Sequence, residues 1–279
     1  MRTEKLTDIG LGLRIHDFDP HRADAPARTA EIQQLVYEHA VVVISDAFAG
    51  MDNDGYAEFA KRFGTPCPVL AAQRRADGHP YVERLTVVPS KDNTGWHQDL
   101  VEVPGQSPVT FMLCDEAPTE NGETLIADMR AMIDGLSAEM QTELAGHTGY
   151  YPLLDSIEKD MRQPGALESK GWSEDEFAKR MIHVRNYTMP LVYPHPITGR
   201  KTMSFNEWHR PQITDLAEAD GEQLLDTVFA AAVNEKNVYR HKWRMGDLLI
   251  WDNSLTMHTA ARVSAGTKIH RRIIVNGPF

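Results

Sequence analysis

The chain has 279 residues, of which 42% are apolar and 25% charged, ordinary values for a globular protein with material for a sizeable core, and extended disorder is excluded. Its 29 Lys and Arg stand against 40 Asp and Glu, and a formal charge of -11 argues against broad contact with phosphate backbones, so no nucleic-acid partner is expected. There is no run of apolar residues long enough for a membrane span, the opening MRTEKLTDIGLGLRIHDFD lacks the apolar core of a secretory signal, and Cys67 and Cys114 suggest neither a disulfide framework nor a metal knuckle; a cytoplasmic protein without membrane contact is expected.

After an extended opening, in which Gly10-Leu11-Gly12 reads as a turn, Ala27 to His39 reads as a helix leading into the apolar run Ala40 to Ile44, a buried strand. Asp52 to Phe63 is a second short helix, closed by Gly64 and Pro66. From Tyr81 to Ile126 the text turns to short β segments, YVERLTVV, TGWHQDLVEV, PVTFMLCDEA and ETLIAD, between Pro, Gly and Asn turn signals. Asp128 to Leu144 reads as two helical stretches, the second opening at Ser137 with Met140 facing inward.

Residues 153–181 are polar, carry Pro164, Gly165 and Gly171, and show one helical patch at Ser173 to Met181; they read as an excursion from the core of the kind that serves as a lid. PLVYPHPITGRKTMSFN then reads as a hairpin turning at Thr198-Gly199, and Ala217 to Asn234 as a helix. Strand text returns in VYRHKWRMGDLLIWDN, TMHTAAR and KIHRRIIVNG. Strands that bracket a helical middle predict a single domain over 1–279, mainly β with flanking helices, built as a sheet sandwich or jelly roll. No glycine-rich phosphate loop is present, so a doubly wound nucleotide fold is not expected.

Residues two apart on a strand share a side, so His97 and Asp99 can meet one metal. With a second imidazole from a distant strand they form the triad that leaves positions open on non-haem iron(II). An HxD pair alone says little, because with 12 His and 40 acidic residues the spacing arises by chance. The context adds weight: Trp96 before it, β text after it, and His258 following the strand-like LLIWDN. His241, among Arg240, Lys242 and Arg244, and His270 are the rivals to His258. Lys268, Arg271 and Arg272 offer cations to a carboxylate ligand, Arg271 and Arg272 from opposite faces of the strand. Trp96, Trp251 and Asn253 are candidate supports for the metal ligands.

These residues resemble the taurine dioxygenase (TauD/TfdA) family, which includes the 2,4-dichlorophenoxyacetate and dichlorprop dioxygenases. The likeness runs through GLGLRIHDFDP, AVVVISDAF, FAKRFG, WHQD, NGETLIADMRAMIDGL, PLVYPHPITGRKTMSF, GDLLIWDNSLTMH and RRIIVNG, most of the chain. It implies a double-stranded β-helix (cupin-like) core and iron(II) held by His97, Asp99 and His258. It also implies 2-oxoglutarate as cosubstrate with O2, its keto-acid end on the metal and its distal carboxylate on the Thr124 hydroxyl and a C-terminal Arg. Members carry Arg pairs four residues apart after the second His; here Lys268 and Arg272 match, with the loop shortened, so Arg272 is the expected anchor and Lys268 the reserve. Asn93, four residues before His97, matches a substrate-contacting position, and Phe205 is a candidate for the pocket wall. The implied reaction is hydroxylation of a C–H bond in a small polar or carboxylated molecule, as in secondary metabolism, with release of succinate and CO2. Desaturation or cyclisation would need the same ligands, and a cosubstrate-free cupin-type metal enzyme is the rival. Asp99 speaks against a halogenase. A homodimer is the default expectation.

Overall fold

The structure is a computed structural model that describes residues 1–279 except 23–24, 70–71, 90–94, 101–106, 171, 182–183, 208–209 and 278–279. Along the chain come β1 (Thr3–Lys5), β2 (Leu13–Ile15), α1 (Ala25–His39), β3 (Val41–Ile44), α2 (Asn53–Lys61), β4 (Thr65–Pro66), β5 (Glu83–Val87), β6 (Pro108–Glu116), β7 (Glu120–Asn121) and β8 (Thr124–Asp128). The helical middle holds α3 (Met129–Asp134), α4 (Ala138–Gly146), β9 (Thr148–Tyr151), α5 (Leu153–Met161), α6 (Ala166–Lys170) and α7 (Glu174–Met181). Then follow β10 (Tyr187–Pro190), β11 (Val192–Pro194), β12 (Lys201–Met203), β13 (Gln212–Ile213), α8 (Glu218–Ala232), β14 (Val238–His241), β15 (Leu248–Asp252), β16 (Thr256–Ala260), β17 (Val263–Ala265) and β18 (Lys268–Asn276).

Eight strands form one sheet in the order β1-β2-β3-β15-β6-β18-β4, with β5 also on β18; a smaller sheet runs β14-β8-β16. Strand alternation sorts the apolar side chains into layers. Val42 and Ile44, Phe111 and Leu113, and Leu248 and Ile250 pack outward with Ile32 and Val36 of α1 and Phe59 of α2. Their neighbours Val41, Val43, Met112, Leu249 and Trp251 pack inward with Ile126, Tyr239 and Trp243 of the smaller sheet. On its far side Ala127 and Met257 meet Met132 and Ile133 of α3 and Leu224, Leu225 and Val228 of α8. Burial of each such side chain contributes about 1.5–3 kcal/mol. The fold is therefore mainly β with several helices, and His258 of β16, whose neighbour Met257 packs on the helices, faces the space between the sheets.

Local chemistry ends the helices where the sequence indicates. Asp52 accepts from Gly55 N (2.7 Å) to cap α2 and Ser137 accepts from Met140 N (3.2 Å) to cap α4, while Asp128 accepts from Arg130 N (2.9 Å) and Ala131 N (3.3 Å) at the start of α3. Gly64 is required by close approach: a Cβ there would lie 1.8 Å from the Asn276 carbonyl oxygen, where β4 joins β18. The hairpin of β11 and β12 around Thr198-Gly199 forms as expected.

The segment 153–181 differs from the single helical patch read in the sequence, because three helices occupy it. Leu153, Leu154, Ile157 and Met161 make a helical stripe that the surrounding charges obscure, and Asn186 Oδ1 accepts from Leu154 N (2.9 Å) at its start. The segment is the long connection of a hairpin, since β9 and β10 pair antiparallel at its two ends. Among the described residues no helix is long and apolar enough to cross a membrane.

Candidate metal centre

His97 does not lie on a regular strand, which is where the structure departs from the sequence reading of TGWHQDLVEV. It makes one antiparallel bridge to His258, each backbone N–H donating to the other's carbonyl (2.9 and 2.8 Å). The chain then bends, and Leu100 takes the left-handed region at φ 59°, a conformation that costs a non-glycine residue about 1–3 kcal/mol and needs its surroundings to hold it.

Gln98 and Asn253 provide that hold. The Gln98 amide is buried; it donates to Asn253 O (2.7 Å) and accepts from Phe205 N (2.6 Å). Asn253 Oδ1 accepts both Asp99 N–H (3.2 Å) and Trp251 Nε1–H (3.0 Å), and its Nδ2 donates to Thr110 Oγ1 (2.8 Å). Gln98 and the Asn253 carbonyl oxygens thus hold the His97 turn at the end of β15, while Asn253 Nδ2 anchors that amide to β6.

The result brings three ligand atoms together. Asp99 Oδ1 lies 3.9 Å from His97 Nε2 and Oδ2 lies 3.8 Å from His258 Nε2, and one donor from each of the three residues falls within 4.8 Å of the others. Among the described residues this is the one such cluster of His, Cys, Asp or Glu. The His97 Nδ1 hydrogen-bonds to Gly95 O (2.8 Å), which leaves Nε2 its lone pair. Burial, with the neighbouring His97, pushes the His258 imidazole down to about 3, so it is neutral. Burial alone would raise the Asp99 carboxyl, but Arg272, His258 and His97 outweigh it and hold the group below the usual carboxylate range. Two imidazole nitrogens and one carboxylate fit iron(II), which takes its ligands in their deprotonated form.

At the Asp99 side Arg272 Nη1 donates to Asp99 Oδ2 (3.2 Å), while its Nε and Nη2 donate to Glu83 Oε2 (2.9 and 2.7 Å); Glu83 Oε1 also accepts from Arg74 (3.3 Å). Glu83 and Arg272 are direct cross-strand partners on β5 and β18. The other end of β18 holds Lys268, 4% exposed, with its Nζ donating to Gly122 O (2.9 Å) and 5.6 Å from the Trp243 ring. Trp243 Nε1 donates to Thr124 Oγ1 (3.2 Å) and its ring lies 4.0 Å from His270. Burial lowers Lys268 to about 8.

The remaining candidates fall elsewhere. Asn93 lies outside the described residues. Phe205 is 2% exposed and stacked on Phe229 (5.3 Å) in the α8 core, so its backbone, not its ring, serves the site. Arg271 faces away and binds Asp115 through Nε and Nη2. His241 is buried beside Trp243 and pushed down to about 3. Trp251 packs on His258 (4.9 Å) and Trp96 joins the α8 core, so Trp251 and Asn253 support the ligands directly. A Ser107, His195 and Asp252 knot has short contacts (2.8 and 3.0 Å), but both contacts use His195 Nε2 and all three residues are buried, so it offers no accessible nucleophile. Sequence reading missed Glu83, Gln98 and Trp243. Only Gln98, set between two ligands, carried a signal.

The profile of the "Taurine catabolism dioxygenase TauD, TfdA family" matches residues 2–275. The chain belongs to this family. It is 28% identical over 263 residues, 90% of the chain and 85% of the relative, to a (S)-phenoxypropionate/alpha-ketoglutarate-dioxygenase of Sphingobium herbicidovorans. It is 26% identical over 285 residues, 92% of each protein, to an alpha-ketoglutarate-dependent 2,4-dichlorophenoxyacetate dioxygenase of Cupriavidus pinatubonensis. A structure described as a putative alpha-ketoglutarate-dependent taurine dioxygenase from Burkholderia xenovorans superposes with a TM-score of 0.79 at 20% identity, covering 99% of this chain and 90% of that one, and shares the fold. As a TauD/TfdA member with this His-Asp-His cluster, the protein is a 2-oxoglutarate-dependent non-haem iron dioxygenase, using iron(II), 2-oxoglutarate and O2.

Proposed function

We propose that the protein hydroxylates a C–H bond of a small molecule, with 2-oxoglutarate spanning from the His97, Asp99 and His258 cluster to Lys268 and Thr124. The observation that carries this reading is Lys268. A buried ammonium is costly without an anion, and among the described residues Lys268 has one carbonyl contact and no ion-pair partner. A dicarboxylate would supply the missing charge.

The strand register supports the span. His258 pairs with Ile126, and Thr124 sits two residues along β8, about 7 Å away. Lys268 lies four residues, roughly 13 Å, from Arg272 on β18. Lys268 therefore suits the distal carboxylate, while Arg272 is taken up by Asp99 and Glu83 beside the metal cluster, in place of the sequence expectation that Arg272 is the anchor. Thr124 accepts from Trp243 and so keeps its own hydroxyl proton for a carboxylate oxygen.

When bound, iron(II) and 2-oxoglutarate would activate O2, one oxygen atom leaving in succinate as CO2 is released and the other becoming the hydroxyl of the substrate. The chain's part is to hold His97 Nε2 and the Asp99 carboxylate in position through Gly95, Asn253 and Arg272. We read the paired sheets as a double-stranded β-helix, 1–279 as one cytoplasmic catalytic domain, and 153–181 as its lid, since β9 and β10 pin both ends of that segment.

Anaerobic titration with iron(II) and 2-oxoglutarate tests the reading. The weak visible charge-transfer band of the chelate should appear, and His97→Ala should abolish iron binding. Iron bound without any band would favour a cosubstrate-free cupin-type enzyme, and unchanged iron stoichiometry in His97→Ala would overturn the ligand assignment.

A further inference from the structure

Beside the metal centre lies an open cleft of about 260 Å³, whose wall includes Arg272 and Glu83. Leu100, the residue after Asp99, also lines it, is 43% exposed and takes the left-handed region. The cleft thus abuts Asp99. Its other walls come from the sheet, with Ile274, and from the 153–181 segment, with Trp172 and Met181.

The charges on this wall are already matched. Arg272 faces two carboxylates, Asp99 and Glu83, and Glu83 faces two guanidinium groups, Arg272 and Arg74, at 2.7 to 3.3 Å. An acid group entering here would meet a buried carboxylate and find the guanidinium committed to it, so it would lose hydration without gaining an unmatched cation among the described residues. An uncharged group would meet hydrocarbon and indole surface, which gains from burial. The volume falls just under the roughly 300–1,000 Å³ of drug-sized ligand sites.

From these contacts we infer that the cleft receives an uncharged, hydrocarbon part of the substrate, the part bearing the reacting C–H bond, and that any acidic group of the substrate is held away from Arg272. Specificity then comes from the fit of a ring or branched chain against Trp172, Met181 and Ile274. This inference rests on the dioxygenase reading above.

The test uses the anaerobic protein loaded with iron(II) and 2-oxoglutarate, with binding of three probes followed by calorimetry: 3-phenylpropionate, 3-phenylpropan-1-ol and propionate. The two ring compounds should bind within about threefold of each other and propionate should not bind measurably, because the ring supplies the burial. Met181→Trp, which fills the cleft, should weaken both ring compounds by at least about tenfold while the visible band stays unchanged. Binding of propionate alone, loss of the alcohol relative to the acid by more than about tenfold, binding of neither ring compound, or indifference to Met181→Trp would each overturn the assignment. Failure of the visible band to form would instead strike the dioxygenase reading itself, so the two failures are distinguishable.

Discussion

Replacing Lys268 by methionine keeps most of the side chain's length and removes its charge, and the structure sets what should follow. If the buried ammonium binds the distal carboxylate, truncating one partner of a desolvated charge pair costs about 2–5 kcal/mol, a rise in the 2-oxoglutarate Kd of roughly thirtyfold to several thousandfold. The wild-type protein adds a pH signature. Burial lowers Lys268 to about 8, against pull from the Cys114 thiol and Glu123. Only the protonated form attracts the carboxylate, so affinity should hold below pH 8 and fall above it, by about tenfold between pH 7 and 9.

The groups packed around Lys268 do not confuse that window. Burial holds His241 near 3 and His270 far below its ordinary range, while Cys114 and Tyr239 are pushed up to about 12. Stability of the unliganded protein should move the other way. The native state releases the proton from about pH 8 upward and the unfolded chain keeps it to a higher pH, so folding is favoured as pH rises through this window. Lys268→Arg should bind 2-oxoglutarate with no such pH dependence, because a guanidinium stays charged. Anaerobic titration of the visible band at several pH values measures the affinities, and urea unfolding over the same pH range the stability; a flat wild-type affinity profile, or a Lys268→Met protein with near-normal affinity, would refute the reasoning.

Arg272→Ala should contrast with Lys268→Met in thermal unfolding: it leaves Glu83 buried without its main partner and costs about 3–5 kcal/mol, whereas Lys268→Met removes a lone buried charge and should stabilise the unliganded protein. Asn253→Ala deprives Asp99 N–H and Trp251 Nε1–H of their shared acceptor and should weaken iron(II) binding by about 10–100-fold, read by equilibrium dialysis. Gly64→Ala must displace the Asn276 carbonyl and should lower stability by about 1–3 kcal/mol in urea unfolding, with iron binding retained in the folded fraction.

Periodicity and turn chemistry were enough to outline the frame. The apolar run at 40–44 read as a buried strand and 108–117 and 248–252 as β segments, and Asp52, Asp128 and Ser137 opened helical stretches that the structure caps through those side chains. The cluster of His97, Asp99 and His258 was legible as well, because an imidazole and a carboxylate two apart, followed at a distance by WDN and a histidine, form an ordered pattern along the chain. The geometry behind the pattern was not. The sequence suggested a regular strand through His97, Gln98 and Asp99, while the folded chain makes one bridge and a left-handed turn held by Asn253, a residue 154 positions from Asp99.

Near neighbours along the chain set element type, caps, the alternation that sorts strand faces, and the presence of side chains able to bind a metal. Tertiary structure alone decided how charges pair. Lys268 and Arg272 are four residues apart, and the sequence pointed to Arg272 as the carboxylate anchor with Lys268 in reserve. Register between β5 and β18 sets Glu83 opposite Arg272 and commits that guanidinium, and packing against Trp243 leaves Lys268 buried without an ion-pair partner among the described residues. The energy of a charge depends on what surrounds it in space, and that information is carried by contacts between residues far apart in the chain.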